Sequence, residues 1–96
     1  MAGENGAGQA ASVPVVEYPC LYRFRAIGFA GGDFPAHVRK LVGRVIGPVA
    51  PDSCSVRSSA GGRYESVTVH CELQNEEARR AIYQAFWEDE RVVFYL

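Results

Sequence analysis

Side chains that could act as nucleophiles or general bases are few in this chain. Its 96 residues include three cysteines and two histidines. His70 falls in an alternating stretch that predicts a strand, and His37 lies early in a predicted amphipathic helix. Covalent catalysis needs a nucleophile, a base and an orienting group within hydrogen-bond reach. The sequence brings no such set together, so we predict that the protein is not an enzyme and that both histidines are solvated.

The cysteines are Cys20, Cys54 and Cys71, an odd number without C-x-x-C spacing. A closed zinc site needs four ligands, and the two strand cysteines that could approach each other lie on apolar faces. We therefore predict three reduced thiols that pack as small hydrophobic side chains in a cytoplasmic protein. No metal and no other cofactor is expected.

A glycine-rich loop precedes the first predicted helix. It reads Gly28-Phe29-Ala30-Gly31-Gly32 and leads into Asp33. Free N–H groups at a helix N-terminus attract anions, and glycines let a ligand approach the backbone closely. Gly28, Gly31, Gly32 and Asp33 are therefore candidate residues for binding a small effector. The alternative is that the glycines only form the turn and that Asp33 itself occupies the anion position.

Hydrophobic periodicity predicts the elements that must position these residues. Period-two alternation predicts strands over residues 20–27, 54–59, 63–73 and 91–96, with a glycine-containing turn at 60–62. Apolar residues at helical spacing predict one helix between Asp33 and Gly47 and another that begins at an Asn75 cap. In the second strand, Val56 is the one strong candidate for an inward side chain.

The resulting order is strand, helix, strand, strand, helix, strand. In the first strand, Arg23 and Arg25 mark one face as solvent-exposed, which favours an antiparallel sheet with helices on the other face. The chain thus fits the α+β class, with a ferredoxin-like βαββαβ topology and the strand order 4-1-3-2. The predicted core between helices and sheet consists of Phe24, Leu41, Val42, Val67, Val69, Ile82 and Phe86.

The open face of this sheet is predicted to mix basic and apolar side chains. The apolar residues assigned to it are Leu21, Ile27, Val93 and Tyr95, and they lie among Arg23, Arg25, Arg57, Thr68 and His70. Such a face suits pairing with another protein or with a second copy. We take Arg23, Arg25, Arg57, Arg63 and Tyr64 as the candidate interaction surface. The alternative is an ordinary solvated face.

RNA binding is the third possibility, because the same topology carries RNA-recognition domains. In those domains, aromatic side chains on the central strands stack on bases. Tyr64 fits one aromatic position of their motif, but Ser66 occupies the second, and the first strand offers Arg23 and Arg25. The net charge is −1, with acidic and basic residues interspersed, so charge does not favour nucleic acid. We rank RNA binding below the other two.

The start of the chain has a different composition from the rest. Residues 1–12 are rich in Gly and Ala and contain no aromatic residue and, after Met1, no aliphatic residue larger than Ala, so this segment cannot offset its ordering entropy. We predict a disordered tail over residues 1–16 and one domain over residues 17–96. The sequence shows no signal-peptide pattern and no apolar run long enough for a membrane helix, so no membrane partner is expected.

Short pieces of sequence spread over residues 17–96 carry a family resemblance. They are Tyr18-Pro19-Cys20, Phe24-Arg25 before Gly28, Arg57-Ser58-Ser59, Gly62-Arg63-Tyr64 and Ser66-Val67-Thr68-Val69. In this order and spacing they resemble the YbeD-like family, small bacterial proteins of unassigned biochemical role. Members of that family look like the ACT-type regulatory domains of amino-acid metabolism, which bind small effectors at loops between paired sheets.

The resemblance implies a ferredoxin-like fold. Together with the lack of a catalytic set and the mixed open face, it leads us to predict a regulatory or protein-interaction module without catalytic activity. It also implies an alternative, an ACT-like domain that binds an amino acid or a carboxylate at the glycine-rich loop. Fold-level likeness is a weak guide to function. The sequence alone therefore leaves both possibilities open.

Overall fold

The computed structural model of the chain describes residues 16–96. Its elements are β1 (Cys20–Phe29), α1 (Phe34–Ile46), a short 3-10 helix (Pro51–Ser53), β2 (Cys54–Ser58), β3 (Tyr64–Leu73), α2 (Glu76–Glu88) and β4 (Phe94–Tyr95). The strands form one antiparallel sheet in the order β2-β3-β1-β4, which confirms the predicted ferredoxin-like topology. The predicted disordered tail lies, apart from its last residue, outside the described residues.

The core lies between one face of the sheet and the two helices. All seven residues predicted to form it are at most 3% exposed. The aromatic ring of Phe24 on β1 packs against Tyr83 and Phe86 of α2, with ring centroids 5.1 and 6.1 Å apart. The other buried apolar residues are Ala26, Phe34, Val38 and Leu73. Period-two alternation in β1 and β3 therefore identifies the covered face correctly.

The connection from β1 to α1 depends on close packing at Gly28. A Cβ atom at this position would lie 2.5 Å from the ring of Phe34 and 2.7 Å from the carbonyl oxygen of Arg91. Asp33 stands at the N-cap, but its side chain makes no hydrogen bond to the helix backbone. Its carboxylate instead accepts a 2.8 Å hydrogen bond from Arg91.

The start of α2 follows the predicted pattern. The Asn75 side-chain oxygen accepts a 2.8 Å hydrogen bond from the Ala78 N–H, and Glu76 and Glu77 occupy the first turn, where the helix dipole favours acidic residues. Ile82 and Phe86 of α2 are buried. Asn75 therefore marks where α2 begins, and the apolar residues at helical spacing face the sheet.

β2 forms one edge of the sheet, and the helices cover it only in part. Val56 lies opposite Val67, so it is on the helix-covered face as predicted, yet it remains 48% exposed. The prediction that the Val56 side chain faces inward is therefore confirmed, although at the sheet edge it is not buried. The turn that follows has Gly62 at a φ of +72°, and the Ser59 hydroxyl accepts a 3.1 Å hydrogen bond from the Tyr64 N–H.

β4 forms the other edge, and its side chains face opposite to the prediction. Tyr95 lies opposite the buried Ala26 and packs against the rings of Tyr83 and Phe86, at 5.9 and 6.0 Å. Phe94 lies opposite Ile27 and is on the open face instead. The assignment of Tyr95 to the open face is therefore wrong. The reason is that its ring completes the packing around α2.

Candidate functional site: the open face of the sheet

Three arginines from two strands meet on the open face. The strand register places Arg23 opposite His70, Arg25 opposite Thr68 and Arg57 opposite Ser66, and all three arginines are exposed. They border a shallow depression of about 660 Å³ that Ser55, Ser66, Thr68 and His70 also line. We call Arg23, Arg25 and Arg57 the arginine cluster. The structure thus brings together three of the five predicted interaction residues.

The arginine cluster carries positive charge that its surroundings do not neutralise. None of its members forms an ion pair with another of residues 16–96. The ion pairs of that region are His37–Asp89, Glu76 with Arg79 and Arg80, and Arg91–Asp33. Among the described strand residues of this face, Glu72 is the one acidic side chain, and it lies opposite Leu21 near the start of β1. The face is therefore basic although the whole chain has a net charge of −1.

The two remaining predicted interaction residues lie at the hairpin between β2 and β3. The Tyr64 ring stacks on the ring of Phe29, with centroids 5.1 Å apart, so Tyr64 is on the open face at the end of the sheet. Arg63 is in the turn and exposed, and its carbonyl accepts a 2.8 Å hydrogen bond from the Ala30 N–H. Neither residue lines the depression of the arginine cluster.

The predicted ligand loop adjoins a separate cavity of about 330 Å³. Gly31 and Gly32 line it with Phe29, Ala30, Phe34, Glu90 and Arg91. Gly28 is buried against Phe34 and does not line it. The hydrogen bond from Arg91 lowers the pKa of the Asp33 carboxyl, so Asp33 stays ionised. The Arg91 guanidinium, which borders the cavity, is therefore already paired with Asp33. Effector binding by these four residues stays a prediction.

The histidines and cysteines have different surroundings. His70 is exposed on the open face, as predicted. The prediction that His37 is solvated is wrong, because its Nε2 lies 2.8 Å from Asp89 Oδ2. This contact joins the first turns of α1 to the residue that ends α2. Burial raises the pKa of the Cys54 and Cys71 thiols, which keeps them protonated at neutral pH and weakly nucleophilic.

A group of half-buried tyrosines was not singled out in the sequence. It lies where β1 and β4 meet α2 and consists of Tyr18, Tyr22, Tyr83 and Tyr95, which we call the tyrosine cluster. The hydroxyls of Tyr22 and Tyr83 are 3.0 Å apart, and the Tyr18 hydroxyl donates a 2.6 Å hydrogen bond to Glu76. The Arg79 guanidinium lies 5.9 Å from the Tyr83 ring centroid. Burial raises the pKa of Tyr83.

The Glu76 carboxylate is the acceptor of several side-chain hydrogen bonds at the start of α2. It accepts hydrogen bonds from Arg79, Arg80 and Tyr18, and these lower its pKa from 4.5 to about 2. Because the folded-state pKa is depressed, Glu76 contributes stability above pH 4.5 and loses it as the pH falls towards 2.

We therefore expect Glu76→Gln to lower stability at pH 7 and to make stability less dependent on pH below 4.5. Urea unfolding across this pH range measures both effects. Glu77→Gln is the matched control, because Glu77 is in the same helical turn and makes no side-chain hydrogen bond with another of residues 16–96. Identical acid dependence in the two variants would contradict the assignment.

Fold and surface together define a small α+β protein with a basic open sheet face. Neither helix within residues 16–96 has both the length and the apolar character needed to cross a membrane. The family model described as "Protein of unknown function (DUF493)" matches residues 13–96, and the chain belongs to this family. The resemblance to the YbeD-like family is thereby confirmed.

Relatives and a solved structure agree with this placement. A "UPF0250 protein" from Hahella chejuensis is 31% identical over 74 residues, covering 73% of this chain and 77% of the relative. Another from Shewanella sediminis is 30% identical over 70 residues, covering 72% and 76%. The solution structure of protein HP0495 from H. pylori is similar to this chain, with a TM-score of 0.74 and 23% sequence identity. The match covers 99% of this chain and 98% of that one. This last likeness shows the fold.

Proposed function

We propose that this protein is a non-catalytic regulatory or interaction module that holds an acidic segment of a partner protein on its open sheet face. The observation that carries the proposal is the arginine cluster, whose three guanidinium groups have no acidic partner within residues 16–96. The three cysteines, none of which is in a disulfide, support a reducing compartment, and we place the protein in the cytoplasm.

Charge and hydrogen-bonding capacity point to carboxylates as the groups bound. Guanidinium groups bind carboxylates through paired hydrogen bonds, and the hydroxyls of Ser55, Ser66 and Thr68 add donors in the same depression. A second copy docked face to face would bring two arginine clusters together, which like-charge repulsion opposes. A partner with an acidic segment therefore fits this surface better than a second copy does.

The arrangement of aromatic side chains favours an acidic protein over RNA. Base stacking in this topology uses rings at the centre of the two middle strands. Here Arg23, Arg25 and Thr68 hold central positions of the open face. The aromatic side chains of this face lie away from these positions: Phe29 and Tyr64 stack on each other at the end of the sheet, and Phe94 is on the edge strand β4. We therefore treat RNA as a competing outcome of the test below.

Removing two members of the arginine cluster should strongly weaken partner binding. For the double variant Arg25→Ala/Arg57→Ala we expect capture of partner proteins from a cell extract to fall about ten-fold or more, since arginines at the centre of an interface often contribute more than 1 kcal/mol each. Quantitative mass spectrometry identifies the proteins lost, and calorimetry with each purified candidate at low and high salt confirms direct binding.

The matched control is Lys40→Ala/Arg44→Ala, which removes the same charge from exposed positions of α1. Equal capture by the two double variants would contradict the proposal. Capture that nuclease treatment abolishes would show that the bound molecule is a nucleic acid and would also overturn it.

The hairpin residues are tested separately in the same assay. If Arg63 and Tyr64 anchor the partner, each alanine variant should weaken binding by about 1 kcal/mol or more. Arg63 is exposed in the turn, so its replacement should leave stability unchanged. Tyr64→Ala also removes the contact with Phe29, so its stability must be measured alongside binding. Full binding by both variants would limit the hairpin to a structural role.

A second candidate function is effector binding at the loop cavity beside Gly31 and Gly32. The observation in its favour is the cavity of about 330 Å³ with the Arg91 side chain at its border. An amino acid or carboxylate that binds the folded state must raise the melting temperature as its concentration increases. A thermal-shift series with such compounds tests this, and Arg91→Ala should remove any response.

A further inference from the structure

β1 is ten residues long, but β4 lies beside only one end of it. β4 pairs with β1 at Ala26 and Ile27, and Leu96 exchanges two backbone hydrogen bonds with Arg25. Beside the stretch from Cys20 to Phe24, no strand occupies this side of β1 within residues 16–96. We call this stretch the open edge of β1.

The open edge presents backbone groups in the pattern of a strand without its neighbour. Both the N–H and the C=O of Arg25 point towards β4, at 3.2 and 2.9 Å from their partners on Leu96. Because backbone groups alternate along a strand, those of Arg23 and Leu21 point the same way. They have no backbone partner among residues 16–96, and Leu21 is 86% exposed. The edge therefore offers two donors and two acceptors.

Different chemistry borders the open edge on its two sides. On the helix side lie the tyrosine cluster and Arg79, continuing into a groove of about 570 Å³ that includes the exposed Trp87. On the open-face side lie Leu21 and Arg23, with Arg25 and Leu96 next along the sheet. A strand in this position would direct alternate side chains to an aromatic surface and to a basic surface.

We infer that an extended segment of the partner protein pairs with the open edge of β1 as an added strand. Its backbone bonds to Leu21 and Arg23, its apolar or aromatic side chains pack on the tyrosine cluster, and its alternate acidic side chains meet Arg23 and Arg25. Strand addition of this kind takes affinity from the backbone and specificity from alternate side chains. The expectation that alternate side chains of the added strand are acidic rests on the proposed function above. Strand addition is the way in which that acidic segment would attach.

Charge argues that the added strand comes from another protein. β1 carries Arg23 and Arg25 and no acidic residue. Pairing of two copies through this edge would bring like charges together, as it would on the open face. A foreign segment that alternates acidic and apolar residues complements both sides of the edge.

The test uses the full chain and a display library of random peptides of about ten residues, long enough for one strand. We expect the selected peptides to alternate apolar and acidic residues. Hydrogen exchange followed by NMR should show the Leu21 and Arg23 amides slowed about ten-fold or more by a bound peptide, because each gains a hydrogen bond. Amides at the outer edge of β2 should keep their exchange rates and serve as the internal control.

Removing backbone N–H donors, first from the peptide and then from the protein, makes the test specific for strand pairing. N-methylation of a peptide at alternate residues should weaken binding about ten-fold or more, and methylation of the intervening residues should have little effect. In the protein, Leu21→Pro removes one N–H of the open edge and should weaken binding, whereas Leu21→Ala keeps this N–H and should bind nearly as well. The peptide series leaves the protein unchanged, so it decides even if Leu21→Pro does not fold.

Each other result has a definite meaning. Failure to enrich any peptide, methylation effects without a period of two, or slow exchange of both amides in the free protein would overturn strand addition. A peptide could bind only when Arg25 and Arg57 are present and yet leave the hydrogen exchange of the Leu21 and Arg23 amides unchanged. This result would overturn strand addition but would leave the proposed function standing. Added strands that carry no acidic residues and tolerate Arg25→Ala/Arg57→Ala would instead overturn the acidic-partner function.

Discussion

Replacing Phe24 or Phe86 with alanine is expected to lower the free energy of unfolding by about 3–5 kcal/mol, because each ring leaves a cavity in a closely packed core. The two side chains are 0% and 1% exposed, and their rings pack edge to face. Typical domains are stable by only about 5–15 kcal/mol, so either change could unfold a large part of the protein at room temperature. Chemical denaturation followed by circular dichroism measures the loss.

Phe94→Ala provides the matched control for this prediction. It makes the same chemical change, but the Phe94 ring is 54% exposed on the open face. Less of its surface leaves water on folding, so we expect a loss below about 1.5 kcal/mol. A loss of less than about 1 kcal/mol for Phe24→Ala would show that the covered and open faces of β1 had been exchanged.

Gly28→Ala should be the most damaging change of a single methyl group. The new Cβ would lie 2.5 Å from the Phe34 ring and 2.7 Å from a backbone oxygen of Arg91. Phe34 is 1% exposed, and the Arg91 oxygen belongs to the backbone and cannot rotate away, so the backbone around Gly28 must shift. Overpacking of this kind costs about 1–3 kcal/mol, and more where backbone atoms are in the way. Thermal and urea unfolding measure it.

Gly61→Ala distinguishes close packing from the general effect of losing a glycine. A Cβ at Gly61 would have no atom within 4 Å, and this residue is not among those with positive φ. We expect its stability to change by no more than about 0.5 kcal/mol. If Gly28→Ala were equally harmless, the contact between β1 and Phe34 would have to be looser than the structure shows.

Local sequence patterns predict the topology and the core of this protein well. Phe24 on β1 and Val67 and Val69 on β3 all fall in the apolar phase of their strands, and all three are buried. Asn75 and Gly47 mark helix boundaries for reasons of local chemistry, a side-chain cap and a positive φ. Such features depend on residues close in sequence, which is why they can be recognised without the structure.

The errors arise where long-range packing decides the outcome. Residues 92–96 are apolar in both alternating phases, so periodicity cannot tell which side chains face the helices. Tyr95 faces inward because its ring packs with Tyr83 and Phe86 of α2. Likewise, His37 finds Asp89 only because the first turns of α1 lie near the end of α2. Neither contact has a local signature.

The candidate site shows the same division. Alternation alone assigns Arg23 and Arg25 to the open face, but Arg57 joins them only through the pairing of β2 with β3. A shift of one residue in that register would turn Arg57 to the other face. The tyrosine cluster went unrecognised because Tyr22 and Tyr83 lie 61 residues apart in sequence. Their contact follows from how α2 packs across β1.

The position of Trp87 provides a built-in optical reporter. It is the single tryptophan of the chain, it is 70% exposed in the folded protein, and it borders the groove beside Tyr83 and Tyr95. Unfolding will change its contact with water little, so its fluorescence should be a poor indicator of denaturation. A peptide side chain that enters the groove would shield the indole from water and shift its emission to the blue. Docking can therefore be titrated without attaching a dye.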